Sequence, residues 1–463
     1  RSMDAILNFL PYIGWVLLAI MILVFIHELG HFLFAKLFKM RVDKFSVGFP
    51  PKVIGATVGG TEYVIGLTPL GGYVKIAGMV DESMDADELA EEPKPWEFRS
   101  KPVWQRMLVI TGGVLFNIIL AAIIFITLKA TYGEAYDPAV GAVLVNESSV
   151  AYEMGLRTGD MITAVNGKPV DVLEGLSGME ELLLSDPLII DVDREGELIR
   201  LEGPRDIMTR LNQSGGDFGI DFDPSIIGYV SGASAADQAG LLPGDHILAI
   251  GDSTITYFQQ ITPVLQATAG ESFTLRFLRP DSVNTAVSSG AVRLPDSLQT
   301  VGGTSWEGSI AGSGSADGQV VLGIQQYVRL KNYSLGEAII SGTSDTWLNT
   351  RMVASSLKRI FVGQDNFREN IGGPVMIAKV TREAADMGAP FFWQIVAMLS
   401  ITLAIINILP IPALDGGHLV FLIYEAIARK EPSLKIRMVL QQVGMVILLA
   451  FMVFVIFNDL LKL

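Results

Sequence analysis

The sequence contains no cysteine. That excludes disulfides, thiolate metal ligands and a cysteine nucleophile, and it leaves the redox compartment undecided. Charge is scarce as well: 18 % of the 463 residues are charged, while half are hydrophobic. Soluble domains of this length are usually richer in charge. The charge that is present is mostly negative, with a formal net of −15, which argues against nucleic acid as a partner. Histidine is rarer still, with four in the whole chain, so two of them in a functional spacing carry information.

What the chain has in abundance is apolar sequence gathered into blocks. A ~30 Å hydrocarbon core takes about 20 residues of helix to cross. Four blocks meet that length, at about Pro11 to Phe38, Val103 to Leu128, Phe391 to Leu409 and Val439 to Phe457. The first is too long for a secretory signal peptide and lacks a small-residue cleavage site. Nine Lys or Arg lie from Lys39 to Arg106, and Arg429, Lys430, Lys435 and Arg437 follow the third block. With four spans these two connections share a side, and the positive-inside rule makes it the cytoplasm. The acidic run from Asp81 to Glu92 weighs little in that rule. Both termini and the long middle segment then lie outside.

The middle segment is soluble in character and contains a repeat. SSVAYEMGLRTGDMITAVNG (Ser148–Gly167) aligns with GASAADQAGLLPGDHILAIGD (Gly232–Asp252), placing Gly159-Asp160 over Gly244-Asp245 at a period of 85 residues. In each copy a short helical stretch precedes a Gly-Asp turn and an alternating strand. This G-L-x-x-G-D-x-I pattern resembles PDZ domains of the bacterial protease type. The expected plan is two spans over 3–133, PDZ domains over 134–205 and 215–280, and a Ser/Gly/Thr-rich linker over 281–330. An amphipathic helical segment over 331–390 and two further spans over 391–463 complete it. The fold class is therefore a polytopic α-helical membrane protein with four transmembrane helices and two β-rich PDZ domains in tandem. A membrane re-entrant β-hairpin is expected from Gly48 to Ile76, where short β-type runs alternate with turn residues such as Gly59-Gly60. Such backbone is tolerated at the membrane edge when buried in protein or lining a wet cavity. An ordinary cytoplasmic hairpin is the alternative.

The chemistry centres on His27-Glu28-Leu29-Gly30-His31, an H-E-x-x-H inside the first block. Residues four apart share one helix face, so both imidazoles can reach a single zinc ion. Glu28, beside the first ligand, can take a proton from a water that the ion activates. Ionisable residues inside a span are costly and functional by default. A catalytic zinc site needs a third protein ligand. The third block ends in N-I-L-P-I-P-A-L-D-G-G-H (Asn407–His418), whose two prolines break the helix. The break can turn either Asp415 or His418 toward the first motif. His246, on a strand of the second repeat, reads as structural.

H-E-x-x-H in the first span with N-x-x-P-x-P-x-L-D-G in a late span resembles the signature pair of the site-2 protease family of intramembrane metalloproteases. Four spans around tandem PDZ domains look like the RseP branch of γ-proteobacteria. The resemblance implies Zn2+ as cofactor, Asp415 as third ligand, Glu28 as catalytic residue and Asn407 as a holder of substrate backbone. It also implies a re-entrant, substrate-binding β segment at Gly71-Gly72-Tyr73, and it matches Gly113 and Asn117 to a G-x-x-x-N feature of the second span. Val47-Gly48-Phe49-Pro50-Pro51 departs from the family's turn. The implied substrates are single-span type II membrane proteins, such as a trimmed anti-sigma factor or leftover signal peptides. The implied setting is the bacterial inner membrane, with the PDZ domains periplasmic and the H-E-x-x-H near the cytoplasmic side. The PDZ pair has two readings, capture of a substrate's new C-terminus by strand addition or, the one favoured, a size filter that keeps bulky ectodomains away from the membrane site. A non-catalytic PDZ scaffold would have no need of Glu28 beside the ligands. A metal transporter would show repeated halves, which the sequence lacks.

Overall fold

The computed structural model describes residues 2–79, 92–136, 143–169, 187–213, 218–221, 225–232, 234–267, 273–279, 304–310, 322–327, 329–366, 368 and 372–462. All but the last residue of the acidic run lies outside them. The chain forms two compact units: Arg1–Tyr132 with Asn332–Leu463, and Gly133–Lys331.

The helices of the first unit, in chain order, are α1 (Ser2–Leu37), α2 (Val103–Tyr132), α3 (Leu335–Val362), α4 (Pro374–Met387), α5 (Ala389–Ile408), α6 (Asp415–Ala428) and α7 (Leu434–Lys462). Four stretches are long and apolar enough to cross a membrane: Gly14–Leu37, Val103–Tyr132, Ala389–Ile408 and Leu434–Asp459. These correspond to the four apolar blocks of the sequence, so the chain is a polytopic membrane protein. α3 is of another kind, with an apolar and a polar face. Its ends are closed by its own residues: Ser334 and Glu337 form a capping box, and Gly363 supplies a left-handed C-cap.

α1 and α2 cross with their backbones almost touching. A Cβ on Gly30 would lie 2.2 Å from the carbonyl oxygen of Gly112. α5 packs on this pair through Phe392, Val396, Ala397 and Ile401, against Ala19, Leu23, Ala121 and Phe125. α6, which the block reading did not anticipate, packs Leu422 against Val109 and Ile110 of α2. Between α5 and α6 the chain runs through Pro410 and Pro412, which cannot donate to a helix. Leu409 is extended and Ala413 takes φ 80°, so a new helix starts at Asp415.

The expected hairpin is longer than Gly48–Ile76, and it is folded back on itself. β1 (Val42–Val58) and β2 (Thr61–Ile76) join at Gly59-Gly60, both at positive φ, as a two-residue turn requires. Beyond the turn, Val58↔Thr61 to Ile54↔Ile65 pair as an antiparallel ribbon. The near half of β1 has neighbours on both sides. Val42↔Ile76 to Val47↔Gly72 run antiparallel, while Lys44↔Glu62 to Val47↔Ile65 rise together and so run parallel. The result is four strand segments in the order 72–76, 42–47, 61–65 and 54–58. Among the described pairings, 72–76 is an edge.

The second unit shows how much of each repeat the sequence pattern captured. Its strands are β3 (Glu134–Tyr136), β4 (Leu144–Val145), β5 (Met161–Val165), β6 (Lys168–Pro169), β7 (Ile189–Arg194), β8 (Glu197–Glu202), β9 (Ile220–Asp221), β10 (Ile227–Val230), β11 (His246–Ile250), β12 (Ser253–Thr254), β13 (Phe273–Arg279), β14 (Thr304–Ile310), β15 (Ile324–Gln326) and β16 (Arg329–Lys331). The first repeat has a sheet in the order β6-β5-β7-β8 and a pair β4-β9; the second has β12-β11-β13-β14 and β10-β15. Each closes by the same device. Ser149 or Ser234 caps a four-residue helix, and Ala151 or Ala236 donates its N–H to the carbonyl of Phe218 or Leu322.

Two expected boundaries are therefore corrected. Phe218 and Ile220 belong to the core of the first repeat, so that repeat continues past 205 into residues assigned to the second. Leu322 belongs to the core of the second repeat, and β14 pairs with β13 along its length, so 281–330 is not a linker throughout. The closing strands β9 and β15 are two and three residues long. Strands so short form because a partner awaits them, and local pattern does not announce them.

Candidate metal centre

His27 and His31 lie one turn apart on α1, on the face turned to α2. Gly113 of α2 makes room for both rings: a Cβ there would lie 2.5 Å from His27 Cε1 and from His31 Nε2. The imidazole of His31 is held by a hydrogen bond from Nδ1 to the carbonyl of Val109 at 2.8 Å. That bond commits the His31 proton to Nδ1 and leaves Nε2 as a lone-pair donor.

Asp415 reaches the same place from the start of α6. Its Oδ2 lies 3.3 Å from His27 Nε2 and 3.4 Å from His31 Nε2, and the two Nε2 atoms are 3.3 Å apart. Three ligand atoms of a tetrahedral zinc with bonds of about 2.0–2.1 Å are separated by roughly 3.3–3.4 Å. The triangle has that size. Asp415 Oδ2 is buried yet accepts no hydrogen bond; a buried carboxylate oxygen in that state needs a cation. His27, His31 and Asp415 are also the described residues whose ligand atoms converge closely enough to hold one metal ion. The donor set, two imidazoles and one carboxylate with a position left for water, suits a catalytic zinc. His418, the other ligand that the spacing allowed, sits one turn further along α6 and outside the triangle.

His27, His31 and Asp415 border one cavity of about 790 Å³. Glu28 and Asn407 line it, as do His418, Lys44 and the edge segment Gly71 to Ile76. Two glycines let that segment come close. A Cβ on Gly72 would lie 3.0 Å from Glu28 Cγ and 2.8 Å from Val24, while one on Gly71 would enter the Phe49 ring. Asn407, in the last turn of α5, brings its amide nitrogen to 3.3 Å from His27 Nε2. Lys44 lies over the Tyr73 ring at 5.7 Å and pairs with Glu62 at 3.7 Å. Hydrogen bonding to Tyr73 and the charge of Glu62 raise its pKa against the effect of burial, so the ammonium stays charged at the cavity wall. Sequence reasoning gave no role to Lys44, Val109 or Gly113; for Gly113 the G-x-x-x-N spacing was the available signal.

Residues 15–451 match the model of peptidase family M50. The chain is 30 % identical to a Vibrio cholerae protein bearing the name of a zinc metalloprotease, over 99 % of this chain and all of the relative. It is 28 % identical to the regulator of sigma-E protease RseP of Escherichia coli K12, over 98 % of this chain and 99 % of the relative. The corresponding protein of Salmonella typhimurium is 27 % identical over 96 % and 97 %. The chain belongs to peptidase family M50: it is a zinc metalloendopeptidase of the site-2 type, built on four membrane-crossing helices.

Proposed function

We propose that this enzyme cuts single-span membrane proteins within or at the edge of the bilayer, with His27, His31 and Asp415 holding Zn2+ and Glu28 as the catalytic base. The reading is carried by the ligand triangle, which shares its cavity with Glu28 and the β-edge. Zinc held there supplies a Lewis acid for the scissile carbonyl and lowers the pKa of the attacking water toward ~7. Glu28 takes a proton from that water as its oxygen bonds to the carbonyl carbon, and passes the proton to the leaving amine as the C–N bond breaks.

A substrate helix hides its peptide groups in its own hydrogen bonds and must unwind locally to be cut. Among the described pairings the segment Gly72–Ile76 is the edge to which an unwound strand can add, a membrane re-entrant β element with Gly71, Gly72 and Tyr73 at the cavity. The Asn407 amide then meets the substrate backbone from the opposite wall. The two repeats of the second unit read as tandem PDZ domains on the periplasmic side. We assign them the task of excluding bulky ectodomains, so that the enzyme acts on proteins already trimmed. Arginine- and lysine-rich connections then face the cytoplasm of a bacterial inner membrane. Substrates of this kind include a trimmed anti-sigma factor, in keeping with the sigma-E names of the relatives, and remnant signal peptides.

The test uses a model single-span substrate, with and without a folded ectodomain, and compares the wild type with Glu28→Gln. Cleavage is expected to fall by about 10²–10⁴-fold in the variant, with the wild type preferring the trimmed substrate. Equal cleavage by both proteins would return a non-catalytic PDZ scaffold to the front.

A further inference from the structure

Asn117 of α2 is fully buried, one helical turn beyond Gly113. Its side-chain amide lies 3.2 Å from Nδ1 of His27. We infer that Asn117 is a positioning residue for the metal: its amide oxygen accepts the Nδ1–H of His27 and fixes that ring in the tautomer that offers Nε2. The inference rests on the metal-centre reading given above.

Three observations carry it. First, Nε2 of His27 points into the ligand triangle, so the proton of the neutral ring sits on Nδ1 and needs an acceptor in a dry setting. Second, the amide as placed turns its nitrogen to the ring and leaves its oxygen buried without a hydrogen-bond partner. Two N–H groups cannot satisfy each other. A half-turn of the amide keeps the same volume, puts the oxygen on the Nδ1–H and gives that oxygen its donor. Third, the other imidazole is already served this way, by the Val109 carbonyl on the same helix. α2 then supplies an acceptor to each imidazole, a main-chain one for His31 and a side-chain one for His27.

The position of Asn117 is itself fixed from a third helix. Ser400 of α5 donates its hydroxyl to the main-chain carbonyl of Asn117 at 2.8 Å, and α5 is the helix that carries Asn407 in its last turn. An asparagine inside an apolar span is a weak helix former with a polar group to satisfy. Its place there is explained by the ring it holds.

The test measures zinc affinity of the full-length, detergent-solubilised chain by competition with a chelator, together with the absorption spectrum of the Co2+-loaded protein. The variants are Asn117→Leu, which keeps the volume but accepts nothing, and Asn117→Asp, which keeps an acceptor. The leucine variant is expected to bind zinc about 10–100-fold more weakly with an altered Co2+ spectrum, and the aspartate variant to stay close to the wild type. Wild-type affinity in the leucine variant would overturn the inference, as would equal loss in both. If the leucine variant does not fold, a folded aspartate variant that has lost affinity tenfold or more overturns it alone. A wild type without stoichiometric zinc would remove the metal-centre reading first, and this inference with it.

Discussion

Three aspartates face two kinds of surroundings, and the contrast separates structure from function. In the second unit Asp160 and Asp245 are almost wholly buried, each gripped by an arginine 34 residues on. Arg194 meets both oxygens of Asp160 at 2.6 and 2.7 Å, and Arg279 meets those of Asp245 at 2.7 and 2.6 Å. Each guanidinium also donates to the carbonyl of the glycine just past the short helix, Gly155 or Gly240. These carboxylates are satisfied from within the protein. Asp415 in the first unit faces two imidazoles and accepts no hydrogen bond on Oδ2. The first two pin a loop to a strand in each repeat, whereas the third keeps a lone pair for something the chain does not supply.

The largest expected effect comes from removing the unsatisfied carboxylate. Asp415→Ala is expected to abolish stoichiometric zinc, measured by metal analysis of the purified chain, and to take cleavage to background. Retained zinc in that variant would break the contrast. Next is the satisfied pair. Arg279→Leu leaves Asp245 buried and uncompensated, and is expected to cost the second repeat about 3–5 kcal/mol. Amide-exchange protection on β11 and β13 should fall, while cleavage of a substrate lacking an ectodomain continues.

The smallest effect is a pH dependence. Burial pushes the Asp160 carboxyl up, but the hydrogen bonds from Arg194 prevail and hold it below its ordinary value of 3.8. A carboxylate depressed in the folded state stabilises fully above its unfolded pKa, and that support is lost as pH falls through the folded one. The first repeat should therefore lose stability below about pH 3.8, followed by exchange or denaturant unfolding. Asp160→Asn should flatten that part of the profile.

The two candidate stretches for the metal ligands were legible because they rest on local covalent facts. His27 and His31 share a face by helical period alone, and the prolines at 410 and 412 announce the break before Asp415. The choice between Asp415 and His418 was not local. It depends on where α6 begins: Asp415 is its first residue and His418 lies three residues on. The doubling back of β1 and β2 was equally hidden: the alternating runs announce strands but not that Val42–Val47 would have two neighbours. The closing strands of the repeats were missed for the same cause, since β9 and β15 are too short to carry a pattern. Asn117 stood in a recognised spacing, and its contact became visible only when α1 and α2 were seen to touch.

The span of the chain across the metal centre also bears on biosynthesis. Asn407 and His27 meet across 380 residues, and Asp415 comes later still. A nascent chain that has inserted α1 and α2 lacks Asp415 and holds only the two imidazoles of the proposed ligand set, too few for a catalytic zinc. The enzyme should accordingly remain without activity until α5 and α6 have left the ribosome and joined the bundle. On the proposed function, a protease that cuts membrane proteins would thereby stay idle while its own helices are being threaded into the same bilayer.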